Sequence, residues 1–581
     1  MPDFASLIDI IETRAAERPD ATAFLFLSDA GRVEARLTFA ELAARAFALA
    51  QALVARGAKP GDRAILVFPP GLDFLVGFFG CLAAGVVAVP LAPPRRQAKR
   101  DSSVSVVDDC LPRFALTSAN FATATREDLL ARFADRPLEW LVLDQSAAAG
   151  SPLASPPRRP ARDDLAFLQY TSGSTSRPKG VMVSHANLLD NLAMIRSALG
   201  ATEASTIVSW APLHHDMGLI LNVLQAFYVG AACVLMAPVS FLQRPLGWLR
   251  AIGDHRAEVA GCPNFGFDLC VARFRPEAMQ GVDLSGWRVA FNGAEPVRAE
   301  TLSRFAATFA PYGFDPKAFY PCYGMAEATL LISGGARGAG AAIVEASRAA
   351  LQDLRIAPPR DAADSSPLVG CGKALAGERI AIVDPETRQR RVCGEIGEIW
   401  VDGGHVARGY WRNEEASAET FGAEIAGEPG VRWLRTGDLG SLDARGELFV
   451  TGRIKDLIIV RGVNHYPQDI EYTAQAAHPC LRPGFGAAFA VADARGQERV
   501  VLVQEVERTY RRSVDPDDVA ADIREAVAEA HELSLYDVAL APPGTIPKTT
   551  SGKIQRRLIR QLWLEGRLER LPAPMTSPPQ P

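Results

Sequence analysis

The chain has 581 residues, of which 48% are hydrophobic and 22% are charged, and its formal net charge is −5 at pH 7. This length exceeds what one hydrophobic core usually supports, so two or three domains are expected, and the composition excludes a disordered or fibrous protein. The mild negative charge creates no field that would gather polyanions, so neither nucleic acid nor an anionic membrane is expected as a partner.

The amino-terminal half begins without the basic and apolar regions of a signal peptide. Residues 74–89 are the strongest candidate for a membrane span, because they carry no charge. However, Gly85 followed by a Val-rich stretch and Pro90 indicates a buried helix that ends in a glycine cap and leads into a buried strand, so no membrane span is expected. The nine cysteines are scattered without a C-x-x-C pair, which predicts a reduced, cytoplasmic protein.

Short apolar runs alternate with longer helical patterns through the first part of the chain. These runs lie at 64–68, 86–91, 141–144, 232–236 and 289–291. Continuous apolar strands separated by amphipathic helices predict βαβ units, and therefore parallel sheets with helices on both faces. The Pro- and Arg-rich segment 151–162 indicates a surface connection that separates two subdomains.

The pattern changes toward the carboxyl end. Short strands with turn signals predict a smaller β-rich layer over about 375–452, which completes a large domain of residues 1–452. Residues 453–570 predict a small α+β domain with a long charged helix at 515–532. The Pro-rich tail 571–581 is expected to be disordered. The predicted fold class is therefore α/β, with parallel-rich sheets, flanking helices, a small β layer and a small α+β carboxyl-terminal domain.

The stretch from Tyr170 to Val181 reads Tyr-Thr-Ser-Gly-Ser-Thr-Ser-Arg-Pro-Lys-Gly-Val and lies between two predicted strands. Small hydroxyl and glycine residues let backbone N–H groups approach a polyphosphate, and a lysine adds positive charge. Lys179 precedes its glycine, so this is not a Walker loop, and no G-x-G-x-x-G follows a strand elsewhere. Composition alone would favour a flexible loop, whereas the order of the residues favours phosphate binding.

With this order, the stretch resembles the phosphate-binding signature of the adenylate-forming superfamily, which includes acyl-CoA synthetases, nonribosomal peptide adenylation domains and luciferases. The resemblance implies that ATP is bound by Thr171, Ser172, Gly173, Ser174, Thr175 and Lys179. The superfamily usually has glycine where this chain has Ser176, so an easy positive-φ position is lost and slower ATP binding is expected. It also implies that the small domain is mobile.

Further signatures follow in the order that the superfamily has. Taken singly, each would be an ordinary turn or a surface carboxylate. By resemblance, Glu327 holds Mg²⁺ and Tyr323 of the same motif packs against adenine. The turn that begins at Asn292 forms the other wall of the adenine pocket. Asp438 accepts the ribose hydroxyls, for which its two carboxylate oxygens are suited. The residues assigned to the nucleotide and metal are Asn292, Gly293, Ala294, Glu295, Tyr323, Gly324, Met325, Glu327, Asp438 and Arg453.

Two lysines near the carboxyl end take their expected roles from the resemblance alone. Lys553 matches the catalytic lysine, and Lys455 lies where the superfamily has its interdomain hinge. His215 is placed at the entrance of the acyl pocket. A zinc site at the consecutive residues His214, His215 and Asp216 is not expected, since neighbours on a strand point to opposite faces.

Three stretches resemble the fatty acyl-AMP ligase branch, which passes the acyl group to a carrier protein and uses CoA poorly. They are 263–270, 463–471 and the long segment between Glu327 and Gly372. Within that segment, 333–367 resembles an insertion that restricts the domain movement needed for reaction with CoA. A short helix is expected in Val344–Leu354. A decorative surface loop is the alternative interpretation.

The resemblance implies activation of a fatty acid by ATP and Mg²⁺ to an acyl-adenylate, with release of pyrophosphate. The chain after Arg567 is too short for a carrier domain, so the expected acceptor is a separate holo-acyl carrier protein or a polyketide or nonribosomal peptide synthase. A fatty acyl-CoA synthetase is one alternative. A catalytically weak nucleotide- or acyl-binding scaffold protein is an alternative of another class, and only Ser176 supports it.

Overall fold

The computed structural model describes residues 4–93, 102–119, 121, 123–143, 155–171, 178–493, 497–549 and 552–572. Within these residues, helices and strands alternate along the chain, and the strands form six sheets.

The α-helices of the described residues have clear bounds. They are α1 (Leu7–Glu17), α2 (Phe39–Ala55), α3 (Asp73–Ala83), α4 (Ser102–Cys110), α5 (Thr123–Arg132), α6 (His185–Leu199), α7 (Gln225–Val229), α8 (Pro238–Gln243), α9 (Leu246–Asp254), α10 (Asn264–Ala272), α11 (Ala299–Phe309), α12 (Arg348–Gln352), α13 (Glu414–Phe421), α14 (Pro467–Ala476), α15 (Pro516–His531) and α16 (Arg556–Leu564). Local signals set several of these ends. Ser184 forms a capping box with Asn187 at the start of α6, and Gly200 ends that helix with a φ of 65°.

The strands are β1 (Thr22–Leu27), β2 (Val33–Thr38), β3 (Arg63–Val67), β4 (Val87–Leu91), β5 (Phe114–Ser118), β6 (Glu139–Leu143), β7 (Leu165–Thr171), β8 (Lys179–Ser184), β9 (Thr206–Ser209), β10 (Ala232–Met236), β11 (Val259–Cys262), β12 (Val289–Asn292), β13 (Phe319–Gly324), β14 (Leu331–Gly334), β15 (Ile343–Ser347), β16 (Ser365–Val369), β17 (Lys373–Ala374), β18 (Glu378–Val383), β19 (Gly397–Gly403), β20 (Ala423–Ile425), β21 (Glu428–Leu442), β22 (Leu448–Arg453), β23 (Ile458–Val460), β24 (Val463–His465), β25 (Leu481–Ala492), β26 (Glu498–Val506) and β27 (Leu535–Ala541). The five apolar runs predicted as strands lie in β3, β4, β6, β10 and β12. The uncharged run 74–89 is buried helix α3, a turn at Gly85 with a φ of 70°, and β4, as predicted.

Two large sheets dominate the molecule. One has nine strands in the order β17-β14-β13-β12-β11-β9-β10-β1-β2, and the other has six in the order β6-β5-β3-β4-β7-β8. The pairs from β1 through β10, β9, β11 and β12 to β13 are parallel, and so are all pairs of the second sheet except β7 with β8. The hydrophobic core between them includes Phe47 of α2, Phe78 of α3 and Leu192 of α6. Helices on parallel-rich sheets, together with a smaller carboxyl-terminal unit, confirm the predicted fold class.

Residues 155–162, the described part of the segment 151–162, precede β7, and β6 and β7 are strands of the same six-stranded sheet. A separation of two subdomains by this segment stays a prediction. The short strands expected over about 375–452 form an antiparallel layer of β18 to β22. The domain bounds themselves stay predictions.

The proposed insertion begins and ends at adjacent strands. Ser333 of β14 pairs with Ala374 of β17, so the intervening residues leave the large sheet and return to it. They contain the β15–β16 hairpin and α12. The helix expected over Val344–Leu354 is shorter than predicted, because Val344–Ser347 pair with β16 as a strand instead.

The carboxyl-terminal unit has a three-stranded sheet, β25-β26-β27. One face packs against α14 and α15 through Ile470 and Ile523, and the other packs against α16 through Ile559. The prediction of disorder from residue 571 was wrong at its first residue: Leu571 is buried in this core, and its N–H donates to the Leu540 carbonyl over 2.8 Å. Residues 573–581 lie outside the described residues.

Among the described residues, no helix is both long enough and apolar enough to span a bilayer.

Candidate active site

Glu327 lies just beyond β13 in a strained turn. The following Thr329 has φ 62° and ψ −59°, and the Leu330 N–H donates to the Ala328 carbonyl over 2.6 Å. This is a γ-turn of the rare positive-φ form, which is costly for a β-branched residue. The Thr329 hydroxyl donates to the His405 carbonyl over 2.6 Å. Strain of this kind persists only where the surrounding contacts hold it, and here it sets the direction of the backbone beside Glu327.

Tyr410 joins Glu327 to Lys179. Its hydroxyl donates to Glu327 Oε1 over 2.9 Å, and Lys179 Nζ lies 4.4 Å from the centroid of its ring. Burial raises the pKa of Glu327, and the hydrogen bond from Tyr410 opposes that rise. Sequence reasoning missed Tyr410, because a tyrosine in a Gly-Tyr-Trp-Arg-Asn stretch carries no chemical signal of its own. Only the fold brings it to the other two residues.

Asp438 and Arg453 are cross-strand neighbours in β21 and β22. Arg453 Nε donates to Asp438 Oδ1 over 2.9 Å, and the Tyr323 hydroxyl donates to Asp438 Oδ2 over 2.8 Å. The charge of Asp438 raises the pKa of Arg453. Each carboxylate oxygen has two acceptor sites, so both remain able to accept a ribose hydroxyl. Asp438 is buried, whereas 52% of the Arg453 side chain is exposed.

The 292–295 turn follows β12, and Tyr323 and Gly324 end the adjacent parallel strand β13. Carboxyl ends of neighbouring parallel strands meet at one edge of a sheet, which brings these two motifs side by side. A β-carbon on Gly324 would overlap the Leu330 carbonyl oxygen, and one on Gly293 would lie 2.7 Å from the Cys322 carbonyl oxygen. Both positions therefore require glycine.

The remaining residues of these motifs have distinct surroundings. Asn292 is fully buried, and within the described residues its Oδ1 has no hydrogen-bond partner. Ala294 adopts a φ of 67°. Glu295 accepts a 2.6 Å hydrogen bond from the Phe265 N–H, and burial raises its pKa. The Met325 N–H donates to the Leu330 carbonyl over 2.8 Å. The unpaired, buried Oδ1 of Asn292 is suited to accept a hydrogen bond from a ligand amino group.

Lys553 belongs to the carboxyl-terminal unit but reaches the large one. Burial and the nearby Arg453 lower its pKa, while Asp216, Asp438 and Glu327 oppose that shift through their negative charge. A β-carbon on Gly552, whose φ is 88°, would lie 3.2 Å from Phe265 Cε1 of the large unit. The structure thus brings Lys553, Glu327, Asp438 and Arg453 around one site.

The loop that carries Lys553 is anchored from behind by Glu505, which is fully buried. Glu505 Oε1 accepts from the N–H groups of Gly544 and Ile546 over 2.9 and 2.8 Å, and Oε2 accepts from Arg482 Nη1 over 2.7 Å. Lys548 Nζ lies 3.8 Å from the ring centroid of Phe485, a ring that Arg482 also covers. No sequence motif points to Glu505, because its partners are distant in the chain.

The phosphate loop is only partly described. Thr171 and Lys179 face each other across the β7–β8 pair. Ser172, Gly173, Ser174, Thr175 and Ser176 lie outside the described residues. Lys455 is an exposed residue of the 3₁₀ turn Ile454–Asp456. Its predicted role as a hinge, like the roles of the other site residues, stays a prediction.

His215 precedes a π-helix, Met217–Leu224, so the assumption that it lies on a strand was wrong. A β-carbon on Gly218 would overlap the Pro212 carbonyl oxygen, which explains how this tight turn forms. His215 Nδ1 lies 2.7 Å from Asp216 Oδ1. Burial raises the pKa of Asp216, but His215 and the other hydrogen bonds and charges around it outweigh burial and lower that pKa overall.

An apolar cavity of about 70 Å³ lies beside this turn. Its lining includes Phe68, Phe74, Leu91, Leu213, His214 and Met236. It lies between the two large sheets, because Leu91 ends β4 and Met236 ends β10.

Comparison with known proteins identifies the family of the chain. Residues 11–411 match the family described as AMP-binding enzyme, and residues 455–572 match the one described as Disco-interacting protein 2-like, AMP domain. The chain is 41% identical to the medium-chain-fatty-acid–[acyl-carrier-protein] ligase JamA of Moorena producens (strain JHB), over 98% of this chain and 96% of that relative.

Two solved structures are similar along nearly the whole chain. The fatty acyl-adenylate ligase from L. pneumophila in complex with acyl adenylate and pyrophosphate is 39% identical, with a TM-score of 0.75 and 97% of each chain covered. A structure from a study of fatty acyl-adenylate ligases from E. coli and L. pneumophila is 33% identical, with a TM-score of 0.85 and coverage of 97% of this chain and 98% of that one. The fold is that of an adenylate-forming enzyme. The chain belongs to the AMP-binding enzyme family, which confirms the resemblance drawn from its motifs.

Proposed function

We propose that this chain is a fatty acid–AMP ligase. It activates a fatty acid with ATP to an acyl-adenylate and releases pyrophosphate. The phosphopantetheine thiol of a separate acyl carrier protein or synthase then gives up its proton and attacks the acyl carbon, and the C–S bond forms as the C–O bond to AMP breaks and AMP leaves. The observation that supports this most is the position of Lys553, which lies among Asp216, Glu327, Asp438 and Arg453. The lysine of one unit thereby completes a site built by the other. The nine free cysteines, eight of them buried, support a reducing, cytoplasmic setting.

In the first half-reaction, a carboxylate oxygen of the fatty acid attacks the α-phosphorus of ATP. The new acyl O–P bond forms as the bond between the α-phosphorus and the bridging oxygen breaks, and pyrophosphate leaves with that electron pair. The fatty carboxylate is already ionised, so no general base is needed. Catalysis then rests on holding two anions together and on stabilising the charge that develops on the transferring and leaving oxygens. Lys553 and Lys179 are the cations proposed for that task.

Nucleotide orientation is assigned to the large unit. Asp438 accepts the ribose hydroxyls, while Arg453 holds that carboxylate in place. The turn at Asn292 and the Tyr323–Met325 segment form the two walls for adenine. His215 is assigned to the entrance of the acyl pocket.

The residues present fit a magnesium ion. Mg²⁺ commonly binds one or two carboxylates together with substrate phosphates, and Glu327 offers a buried carboxylate whose Oε1 is oriented by Tyr410. Glu327 is therefore the proposed ligand, and the bound ion would neutralise phosphate charge.

The insertion is proposed to limit reaction with CoA. The side-chain amide of Asn464, in the carboxyl-terminal unit, donates to the Gln352 carbonyl of the insertion over 2.7 Å. Leu351 of the insertion also shares an apolar cluster with Tyr466. These contacts favour a restraining role over a decorative loop, because a decorative loop would contact solvent rather than the unit that must move.

A direct test removes the insertion. Because Gly334 and Lys373 pair on neighbouring strands, residues 336–370 can be replaced by a short glycine-containing turn. We expect the shortened enzyme to form more acyl-CoA from ATP, fatty acid and CoA, as measured by mass spectrometry, with adenylate formation retained. Unchanged CoA product would contradict the restraining role.

The function itself is tested with the intact chain, ATP, Mg²⁺ and a panel of fatty acids that starts from medium chain lengths. Pyrophosphate release and trapping of the acyl-adenylate as a hydroxamate are expected. Efficient CoA thioester formation by the intact enzyme would favour the CoA synthetase alternative. Neither pyrophosphate nor hydroxamate with any acid would favour the scaffold alternative.

A further inference from the structure

Arg298 connects the two units at a point away from the insertion. It directly precedes α11 in the large unit, and its Nη2 donates to the Gln468 carbonyl in the first turn of α14 over 3.0 Å. Its guanidinium carbon lies 4.0 Å from the ring centroid of Tyr472, one turn further along α14. The positive charge of Arg298 also acts on Asp469, which directly follows Gln468 in the same helix. One side chain thus makes three kinds of contact with a single helix.

The backbone of Arg298 is itself fixed to the nucleotide site. Its N–H donates to Asn264 Oδ1 over 3.1 Å, and Asn264 Nδ2 donates to the Thr301 hydroxyl over 3.0 Å. Asn292, at the end of β12, also approaches Asn264 Oδ1, at 3.4 Å. Arg298 therefore extends from a rigid part of the large unit rather than from a loose surface loop.

The contacted end of α14 is bound to the strand that carries Arg453. Gln468 Nε2 donates to the Thr451 carbonyl of β22 over 2.8 Å. The same carboxyl-terminal unit carries Lys553, so the contact made by Arg298 fixes the position from which Lys553 reaches the site. We propose that Arg298 is a positioning residue that holds the carboxyl-terminal unit in the adenylate-forming arrangement and that must release α14 before acyl transfer.

This inference rests on the proposed two-step function, because only a second half-reaction requires the Lys553 loop to leave. In the present arrangement, a β-carbon on Gly552 would meet Phe265 of the large unit at 3.2 Å, and Lys553 lies near Asp216, Asp438 and Glu327, so a thiol needs this loop to move before it can reach the acyl carbon. Removing a contact that exists in only one of two arrangements shifts the population toward the other. Loss of Arg298 should therefore affect the two half-reactions in opposite directions.

The experiment measures the half-reactions separately. Arg298→Met keeps the length and apolar stem of the side chain but removes its charge and donors, and Arg298→Lys keeps the charge without the planar guanidinium. We expect Arg298→Met to slow pyrophosphate release about tenfold and to speed transfer from supplied acyl-adenylate to pantetheine by about threefold, as loss of a charged hydrogen bond and a cation–π contact predicts. Both rates of Arg298→Lys should lie between those of Arg298→Met and those of the unchanged enzyme.

Two further variants localise the effect. Tyr472→Leu removes the ring and should reproduce part of the Arg298→Met result, and the double variant should be no more affected than Arg298→Met alone. Asn464→Ala removes the contact with the insertion and leaves Arg298 in place. If Arg298 acts independently of the insertion, the Arg298→Met effect should persist on the Asn464→Ala background.

A readout that needs no activity completes the test. Spin labels on cysteines introduced at the exposed Ser197 and Glu525, with exposed Cys393 changed to Ser, report the distance between the units. Arg298→Met should broaden the distance distribution, whereas Lys373→Ala at an exposed strand position should not. An unchanged distribution, or an equal fall of both half-reactions, would overturn the inference. Absence of adenylate formation in the unchanged enzyme would instead overturn the proposed function.

Discussion

The two halves of the active site are built in different ways. In the large unit, together with Arg453 at the end of β22, where the predicted carboxyl-terminal domain begins, site residues hold one another: Tyr323 and Arg453 both donate to Asp438, and Tyr410 donates to Glu327. In the carboxyl-terminal unit, Lys553 lies on a loop whose anchor, Glu505, is fully buried behind it.

The two halves therefore differ in what sets their geometry. Internal hydrogen bonds preorganise the large half, whereas the position of the carboxyl-terminal unit places Lys553. The large half keeps its geometry wherever the other unit lies, because its hydrogen bonds are internal. In the proposed mechanism, Lys553 needs both a well-held loop and a docked carboxyl-terminal unit before it can contribute to adenylate formation. Adenylate formation should therefore be sensitive to changes far from the nucleotide, whereas nucleotide binding should depend on the large half alone.

The largest effect is expected from Lys553→Ala, which removes the lysine half and leaves the other intact. Pyrophosphate release should fall by about 10²- to 10³-fold, because a cation aimed at the developing charge is lost. ATP binding, measured by calorimetry, should change little. Lys373→Ala, at an exposed position, serves as the control. Turnover equal to that of the control would remove the role assigned to Lys553.

Glu505→Gln tests whether the loop needs its anchor. An amide cannot accept from Arg482 and from the Gly544 and Ile546 N–H groups in the same way, so the loop should shift and adenylate formation should fall about 30-fold. The free energy of unfolding should fall by about 2 kcal/mol, since a buried acceptor is lost beside a partly exposed arginine. Transfer from supplied acyl-adenylate should be retained. Equal loss in both half-reactions would indicate general damage to the fold.

Thr329→Val tests the preorganisation of the large half. Valine has nearly the same shape but cannot donate to His405, so the strained turn should relax and displace Glu327. We expect pyrophosphate release to fall about tenfold and the Mg²⁺ concentration for half-maximal rate to rise, as a loss of about 1–2 kcal/mol implies. Thr329→Ser keeps the hydroxyl and should behave like the unchanged enzyme. If Thr329→Val and Thr329→Ser showed the same Mg²⁺ dependence, the strained turn would not be what positions Glu327.

Tyr410→Phe should have the smallest effect, and one that depends on pH. Phenylalanine keeps the ring that Lys179 faces but loses the hydrogen bond that opposes the burial-induced rise in the pKa of Glu327. That pKa should rise further, so the carboxylate should be lost at a higher pH on acidification. The acid limb of the pH–rate profile should therefore move to higher pH, with rates converging in alkaline buffer. If the acid limb of the pH–rate profile did not move, Tyr410 would not control the pKa of Glu327.

The same carboxyl has a predictable effect on stability. Because burial raises its pKa above the usual 4.5, the folded protein binds a proton there more tightly than the unfolded chain does. Its contribution to the free energy of unfolding is therefore greatest at low pH and is lost as pH rises through the raised pKa.

Much of the fold could be predicted because apolar runs and glycine signals act locally. The strand–helix alternation, the glycine turn at Gly85 and the antiparallel layer after 375 all follow from hydrophobic periodicity and turn chemistry. Two predictions made from local signals were wrong. The Pro-rich composition after residue 570 predicts disorder for Leu571, but this leucine is buried, because a nearby core is enough to order it. His215 was placed on a strand, although a close approach at Gly218 produces a turn and a π-helix.

The motifs predicted for phosphate, adenine, ribose and the catalytic lysine could be located in the sequence because their order resembles that of a known superfamily. Taken singly, each would be an ordinary turn or surface charge, so their roles stay predictions. Tyr410, Glu505 and Arg298 could not be located in this way, since a tyrosine, a glutamate and an arginine acquire their roles only from partners distant in the chain. Tertiary structure decided which of these side chains meet, because the low dielectric of the interior and the geometry of hydrogen bonds act through space rather than along the chain.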